Sequence, residues 1–368
     1  MNFKVKKAIK ILKNTSYISY FVCDPYIPVF HICKFLDIKG KNSHNTQKTY
    51  AYILANWLNH LDTKLNKKYY EINIQDIKKY IEYLIFFNQK GQYILTPELC
   101  YKTLKGKGNV IVEFYMFLLS EVDSNENALI IYNKNMKYNY PLSFNIEKLK
   151  SSTENTLNLF LTRYKRGRKE NYIIEYTDIE IEIISSNFSS LRDIVIFKLT
   201  LFGFRIDEVL SIYLEDFNFQ EKNIKPSRSK TNKHRIVEIS SELSILINNY
   251  IQTNRLDAVF NSGYDSPYLF VNHKQGKYCG KEVSYQTFYK SLKRAAQKAG
   301  FDTTKIRTHS GRSTSVMNDL EKGMPYEIIR HKYGWNNPIS ITPYIDEQSK
   351  KLMKKASKFI YKQNKGQQ

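Results

Sequence analysis

Four short stretches of the sequence contain side chains that could act together in catalysis. They are FGFRIDEVLSI at 202–212, SKTNKHRIVEI at 229–239, THSGRST at 308–314 and YGWNNPISITPYI at 333–345. Guanidinium groups bind anionic oxygens, imidazole and ammonium groups transfer protons, and a phenol can serve as a nucleophile. Each stretch alone is a weak signal, because an Arg with a Glu three residues later is usually a helix-surface ion pair. Their occurrence together, in this order, indicates a catalytic site.

The order and spacing of these residues resemble those of the tyrosine recombinase, or phage integrase, family. Its members present an Arg, a Lys on a hairpin, His-x-x-Arg, then His or Trp, and finally a Tyr nucleophile. By this resemblance the catalytic residues are Arg205, Lys230, His309, Arg312, Trp335 and Tyr344. Arg312 and Trp335 are 23 residues apart, and Trp335 and Tyr344 are nine apart. These separations are similar to those of the family. The resemblance implies a transposon- or phage-encoded integrase or transposase that cleaves and rejoins DNA through a covalent 3′-phosphotyrosine intermediate.

The chemistry of a phosphodiester explains why the family uses these residue types. Negative charge grows on the nonbridging oxygens during attack, and paired guanidinium groups are suited to hold them. Arg205 and Arg312 are the expected pair, and Lys would be poorer because it lacks the planar fork. Glu208 resembles an acidic residue of the family that orients the first guanidinium, although a surface ion pair is an equal alternative.

Proton transfer accounts for the remaining members of the set. A tyrosine hydroxyl has an unperturbed pKa of about 10, so Tyr344 needs a proton acceptor, and His309 is the expected one. The leaving 5′-oxygen needs a proton, which an ammonium group on a hairpin can deliver, and Lys230 is assigned to this role with Lys233 as its competitor. The Trp335 indole can donate a hydrogen bond to a phosphate oxygen but cannot shuttle a proton.

The sequence departs from the family pattern at four positions. Gly311 stands where an apolar residue is usual, Ser313 where many members have a second His, and Phe204 where Leu is common. Pro343 directly precedes the expected nucleophile, which fits a proline near the first turn of a helix that carries Tyr344. Tyr333 is the alternative nucleophile, on the other side of Trp335 in the sequence.

Composition favours a nucleic-acid partner. The chain has 57 Lys and Arg against 35 Asp and Glu, which gives a formal charge of +22. Such a charge repels itself unless an acidic partner is present, and double-stranded DNA is the expected one, although a merely lysine-rich surface is the alternative. The four cysteines form no C-x-x-C pair and KGKGN at 105–109 lacks P-loop spacing, so we expect no metal and no other cofactor. No apolar run is long enough to span a membrane, and we expect a cytoplasmic protein, nucleoid-associated when bound to DNA.

Periodicity predicts a mainly α protein with a small antiparallel β-sheet, as an α+β catalytic domain behind a helical DNA-binding domain. The predicted divisions are an N-terminal arm and helical core-binding domain (1–140), a basic linker (141–175) and a catalytic domain with a C-terminal tail (176–368). Helices are expected at 45–61, with Thr46 as N-cap, at 74–87 and at 109–120. The lysines of residues 4–13 are spaced in helical order, and a capping box of Thr177 and Glu180 opens the second domain.

The family resemblance also implies how the protein assembles. It implies two domains closing as a clamp on duplex DNA, a homotetramer that pairs two sites, and accessory proteins that bend DNA or set direction. The amphipathic segment KKLMKKASKFIYK at 350–362 fits a tail exchanged between protomers, with an ordinary surface helix as the alternative. Two other functions remain open at this point: a type IB topoisomerase-like relaxase and a non-catalytic basic DNA-binding relative.

Overall fold

A computed structural model describes residues 2–12, 15–24, 26–41, 43–88, 91–94, 99, 101–124, 173–226 and 236–365. The chain divides into two compact units, residues 1–168 and 169–368. Most of the expected linker at 141–175 lies outside the described residues, as do Lys230 and Lys233, so the linker and the hairpin lysine stay predictions. Within the described ranges, no helix has the length and apolar character that crossing a bilayer requires.

The first unit opens with an antiparallel sheet, and the expected helical order of the N-terminal lysines is wrong. Strands β1 (Lys4–Leu12), β2 (Thr15–Asp24) and β3 (Ile27–Pro28) lie side by side in that order. Val5 pairs with Val22 and Ile9 with Ile18. The period is two, since Val5, Ile9 and Ile11 alternate with lysines, and this alternation favours a strand.

Four helices follow among the described residues of the first unit: α1 (Phe30–Gly40), α2 (His44–His60), α3 (Ile74–Phe86) and α4 (Tyr101–Ser124). A single π-helical turn, Leu61–Leu65, extends α2. The N-cap of α2 is Ser43 rather than Thr46, because the Ser43 hydroxyl accepts a hydrogen bond from the Thr46 backbone N–H at 3.3 Å. Helix α4 begins eight residues before the periodic stretch at 109–120 and includes KGKGN, which is therefore helical.

The predicted capping box of Thr177 and Glu180 is present in the second unit, at the start of α5 (Asp178–Ser186). Helices α6 (Leu191–Leu201) and α7 (Ile206–Leu210) follow, separated by a turn at Gly203. A three-stranded antiparallel sheet then forms from β4 (Phe217–Asn218), β5 (Asn223–Ile224) and β6 (Val237–Glu238). β5 and β6 flank residues 227–235, which contain both candidate lysines.

Six further helices lie within the described residues of the second unit: α8 (Ser241–Tyr250), which a π-helical turn at Ile251–Arg255 continues, α9 (Leu256–Ser262), α10 (Tyr285–Lys298), α11 (Ser310–Glu321), α12 (Tyr326–Lys332) and α13 (Thr342–Lys365). Residues 263–284, between α9 and α10, are not helical. A 3₁₀ turn, Pro338–Ile341, leads into α13. The fold is therefore mainly α with small antiparallel sheets, as the sequence predicts.

Each unit has its own hydrophobic core. In the first, Phe35, Trp57 and Phe114 are fully buried among the four helices. In the second, Phe197, Phe204 and Phe288 belong to the main core, and a smaller cluster around Val316, Tyr333 and Tyr344 joins α11, α12 and α13. The smaller cluster contains the aromatic residues of the candidate site.

Candidate active site

The first guanidinium sits at the start of α7. Glu208 accepts two hydrogen bonds from Arg205, one from its backbone N–H at 2.9 Å and one from Nη1 at 2.7 Å. The Glu208 side chain is 5% exposed and that of Arg205 is 25% exposed. Because Glu208 is buried beneath Arg205, it is not a surface ion pair. It fixes both the helix terminus and the direction of the guanidinium.

The second guanidinium, Arg312 on α11, is 1% exposed. Its Nη1 donates a hydrogen bond to the carbonyl oxygen of Gly203, and its Nη2 donates to that of Tyr333 at 2.6 Å. Gly203 belongs to the turn just before Arg205, and Tyr333 follows α12. The Arg312 side chain thus ties three separate segments of the second unit together.

A glycine makes room for the tyrosine beside Arg312. Gly203 has a φ of +89°, in the left-handed region, and a Cβ there would lie 2.9 Å from Cδ1 of the Tyr333 ring and closer still to Cε1. Any side chain at this position would therefore displace Tyr333. The Tyr333 ring lies 5.1 Å from Cζ of Arg312, which adds a cation–π contact to the hydrogen bond.

Another glycine brings α6 and α11 close together, and it accounts for one departure from the family pattern. A Cβ on Gly311 would lie 3.0 Å from Cβ of Thr200, 3.2 Å from its backbone carbon, and closer still to its Oγ1. Thr200 Oγ1 itself donates a hydrogen bond to the Phe197 carbonyl at 2.6 Å, which limits its freedom to turn away. The apolar residue usual at position 311 could not fit here.

His309 immediately precedes α11 and keeps contact with solvent. Its pKa is lowered from the ordinary value, first by desolvation and then by the positive charges of Arg312 and Arg205. The influence of both charges shows that the three side chains share one electrostatic environment. A neutral imidazole at pH 7 can accept a proton, as an acid–base role requires.

Three aromatic rings stack next to Arg312. The Tyr333 and Trp335 ring centroids are 5.6 Å apart at 27°, and those of Trp335 and Tyr344 are 5.5 Å apart at 23°. Cζ of Arg312 lies 5.7 Å from the Trp335 ring. Within the described residues, the Trp335 indole N–H has no hydrogen-bond partner, so it is available to a ligand.

The two candidate nucleophiles have different surroundings. The Tyr333 hydroxyl bonds to Ser315 Oγ at 2.6 Å and donates to Asp319 Oδ2 at 2.7 Å, and burial raises its pKa. Tyr344 lies in the first turn of α13, directly after Pro343, and no described residue forms a hydrogen bond with its hydroxyl. These surroundings favour Tyr344 over Tyr333 as the candidate nucleophile, although Tyr344 is only 8% exposed and packs on Trp335.

The structure brings Arg205, His309, Arg312, Trp335 and Tyr344 into one region. Lys230 and Lys233 lie outside the described residues. Sequence reasoning missed the supporting residues, chiefly Asp319, whose carboxylate also accepts from Lys332 Nζ at 2.7 Å. Two features of the sequence, the unusual Gly311 and the break at Gly203, could have indicated the close packing around Arg312 and Tyr333.

The second unit is similar in sequence to known proteins. The sequence profile of the phage integrase family matches residues 176–351. The tyrosine recombinase XerA of Pyrococcus horikoshii is 27% identical over 177 residues, which cover 48% of this chain and 58% of that protein. XerA of Pyrococcus furiosus is 29% identical over 177 residues, 48% of this chain and 56% of that protein. The chain thus matches little more than half the length of these relatives.

Solved structures share the fold over more of the chain. The Tn1549 transposon integrase in complex with transposon right end DNA has a TM-score of 0.57 at 14% identity, covering 89% of this chain and 98% of that one. The XerH site-specific recombinase, bound to a palindromic difH substrate, also has a TM-score of 0.57, at 18% identity, covering 88% and 82%. The profile match and these relatives show that residues 176–351 form a domain of the phage integrase family of tyrosine recombinases, and the solved structures show the shared fold.

Proposed function

We propose that this protein is a site-specific DNA recombinase of the integrase or transposase type, which breaks and rejoins DNA through Tyr344. The observation that carries the proposal is the single region in which two arginines and a neutral histidine lie beside the Trp335–Tyr344 stack. This set supplies an anion clamp, a proton acceptor and a nucleophile. It needs neither ATP nor a metal ion for phosphoryl transfer to tyrosine.

In the proposed reaction, the Tyr344 oxygen attacks phosphorus while His309 accepts the phenolic proton. The guanidiniums of Arg205 and Arg312 hold the nonbridging oxygens as their charge grows. The bond from phosphorus to the 5′-oxygen breaks as the 3′-phosphotyrosine bond forms, and Lys230, or Lys233 in the same turn, protonates the leaving oxygen. Attack by the 5′-hydroxyl of a second strand reverses the step with the new partner.

Arg312 needs a change of surroundings before it can hold a phosphate. Both of its described hydrogen bonds go to backbone carbonyls and its exposed fraction is 1%. Tyr344 is similarly covered, since it packs on Trp335. We infer that DNA binding opens this region, so that the chemistry is reserved for the bound state.

The partner that fits these features is double-stranded DNA. The formal charge of +22 supplies nonspecific attraction. In the first unit, α2 and α4 border a concavity of about 890 Å³ that includes Lys48, Thr49, Tyr52 and Thr103, side-chain types suited to phosphates and base edges. A homotetramer on paired sites, with accessory DNA-bending or directionality proteins, completes the proposal.

A suicide duplex, nicked near the cut so that the leaving strand diffuses away, tests the function. Wild type should form a covalent adduct that survives denaturing electrophoresis, and Tyr344→Phe should bind the same DNA without forming it. Tyr326→Phe is the matched control, because this tyrosine is 52% exposed and lies outside the stack. It should form the adduct normally.

The candidate DNA should come from a library of sequence that flanks the gene. Tight, salt-sensitive binding without an adduct from any variant would favour a non-catalytic relative. An adduct together with plasmid relaxation, but without exchange between two sites, would favour a topoisomerase-like relaxase. The affinity should fall with a log–log salt slope of about −0.9 per phosphate contacted.

A further inference from the structure

A cavity in the first unit is lined by two residues whose buried polar atoms the proposed reaction does not use. It has a volume of about 490 Å³ and lies between the end of α2, α3 and α4. His60 is 7% exposed and Tyr80 is 2% exposed, and both line it. Neither ring nitrogen of His60, nor the Tyr80 hydroxyl, has a hydrogen-bond partner within the described parts of the chain.

Such atoms are costly to leave without partners. A buried polar group that lacks a hydrogen bond is rare in folded proteins, and each instance calls for a ligand, a water molecule or a functional reason. Of the six side-chain atoms of this kind in the described residues, three belong to two residues that line this one cavity. Their concentration indicates a built site rather than scattered packing faults.

Four of the residues that line the cavity carry aromatic rings: His60, Tyr80, Tyr83 and Phe87. The His60 ring centroid lies 4.9 Å from that of Tyr80 and 4.8 Å from that of Tyr83, and it stacks on Trp57 at 6.2 Å. Tyr83 in turn stacks on Phe87 at 5.0 Å. A flat ring is the ligand shape that these surfaces accept best.

The polar groups define the rest of the ligand. Burial lowers the pKa of His60 to about 4, so at pH 7 the imidazole is neutral and offers one donor and one acceptor. Tyr80 adds a hydroxyl that can donate or accept. This pattern matches the edge of a nucleobase, which presents donors and acceptors side by side.

Charge at the cavity favours an anion. Lys64 and Lys107 line it, and the described lining residues include no carboxylate. Burial lowers the pKa of Lys107, because desolvation disfavours its charged form. A phosphate beside Lys107 would favour the charged ammonium group again.

We propose that this cavity binds one nucleotide, with its base between the aromatic walls and against His60 and Tyr80, and its phosphate near Lys64 and Lys107. The nucleotide has two possible sources. It is either a free mononucleotide or a single unpaired base turned out of the DNA duplex. The volume of the cavity suits a ligand of this size.

The test titrates the full-length chain with each of the four 5′-nucleoside monophosphates, and with inorganic phosphate as reference, by calorimetry. A second arm compares duplexes with and without one extrahelical nucleotide. We expect saturable binding in at least one arm and at least tenfold weaker binding to phosphate alone or to the fully paired duplex. Preference for the free nucleotide or for the extrahelical base identifies the source.

Two tyrosine variants separate a ligand site from ordinary packing. Tyr80→Phe should weaken nucleotide binding about tenfold and raise the unfolding midpoint of the free protein, because it removes an unpartnered buried hydroxyl. Tyr115→Phe is the control, since its hydroxyl is buried but bonds with Trp57 Nε1 at 3.0 Å and the Tyr69 carbonyl at 2.8 Å. It should lower the midpoint and leave nucleotide affinity unchanged.

Three results would overturn the proposal. The first is the absence of saturable binding in both arms, and the second is binding that Tyr80→Phe leaves unchanged. The third is a crystal structure, from crystals grown with the four monophosphates, in which only water molecules contact the polar atoms of His60 and Tyr80. The free-nucleotide arm does not depend on the recombinase activity, so failure here and failure of the proposed function are distinguishable.

Discussion

Substitution of Gly311 by Ala tests whether close packing of α6 against α11 sets the active-site geometry. The added methyl group would meet Thr200 Cβ at 3.0 Å and its backbone carbon at 3.2 Å, where ordinary contact is nearer 3.4–4 Å. The helices must separate by several tenths of an ångström or more, because Thr200 Oγ1 is held by its bond to the Phe197 carbonyl. Overpacking of this kind costs about 1–3 kcal/mol of unfolding free energy.

The same shift should reach the chemistry. Arg205 follows α6 through the turn at Gly203, and Arg312 is the next residue after Gly311, so separating the helices moves one guanidinium relative to the other. A misplacement of about 1 Å can cost roughly 100-fold in rate. We therefore expect Gly311→Ala to lower the single-turnover cleavage rate about 10- to 100-fold, with smaller effects on DNA affinity.

Urea unfolding and single-turnover cleavage of a suicide duplex measure the two effects. Thr200→Ala should partly restore both in the double variant, since it removes Oγ1 but leaves Cβ in place. Gly106→Ala on α4 is the control, because nothing lies within 4 Å of a Cβ there, and it should be neutral or stabilising by up to about 1 kcal/mol. A Gly311→Ala protein as stable and as fast as wild type would refute the reasoning.

Three further predictions concern the residues that surround the clamp. Glu208→Gln removes one of the two carboxylate oxygens that hold Arg205. The cleavage rate should fall at least tenfold, while the DNA affinity in filter binding should be nearly unchanged. An equal loss of cleavage rate and DNA affinity would contradict the positioning role of Glu208. Tyr333→Phe removes a hydrogen-bond donor from buried Asp319 and should lower the free energy of unfolding in urea by about 1–3 kcal/mol. The variant should still form the covalent adduct. Loss of the adduct in a folded variant would instead implicate the Tyr333 hydroxyl in catalysis. Because the pKa of His309 is lowered, the cleavage rate should stay constant as the pH falls to 6.5 and should decline only below that pH. A decline in rate centred at or above pH 6.5 would show that an imidazole of ordinary or raised pKa governs the rate.

The sequence predicted best where local patterns determine local structure. The capping box at Thr177 needs only residues three apart, and the structure confirms it. The mainly α character follows from apolar periodicity, which is strong in α2 and α3. The strand β1 was not predicted, because the lysines of residues 4–13 also fit a helical spacing, which competes with the alternation of Val5, Ile9 and Ile11.

The site residues illustrate a different limit. The sequence order of Arg312, Trp335 and Tyr344 pointed to a shared site, and the structure places their side chains together. The sequence order could not show that the lack of a side chain at Gly203 leaves room for the Tyr333 ring. These residues are 130 positions apart and meet only through tertiary packing. Nor could it show that Glu208 is buried, because an i, i+3 pair looks the same on an exposed helix face.

The most direct test of the central claim is to locate the nucleotide remnant on the protein. The trapped adduct is digested with nuclease and trypsin, and the peptide of residues 333–350, which lies between Lys332 and Lys350, is fragmented in a mass spectrometer. This peptide contains both Tyr333 and Tyr344, so fragmentation rather than total mass makes the assignment. The proposed function predicts a remnant on Tyr344 alone. A remnant on Tyr333, or an adduct attached elsewhere in the chain, would contradict it.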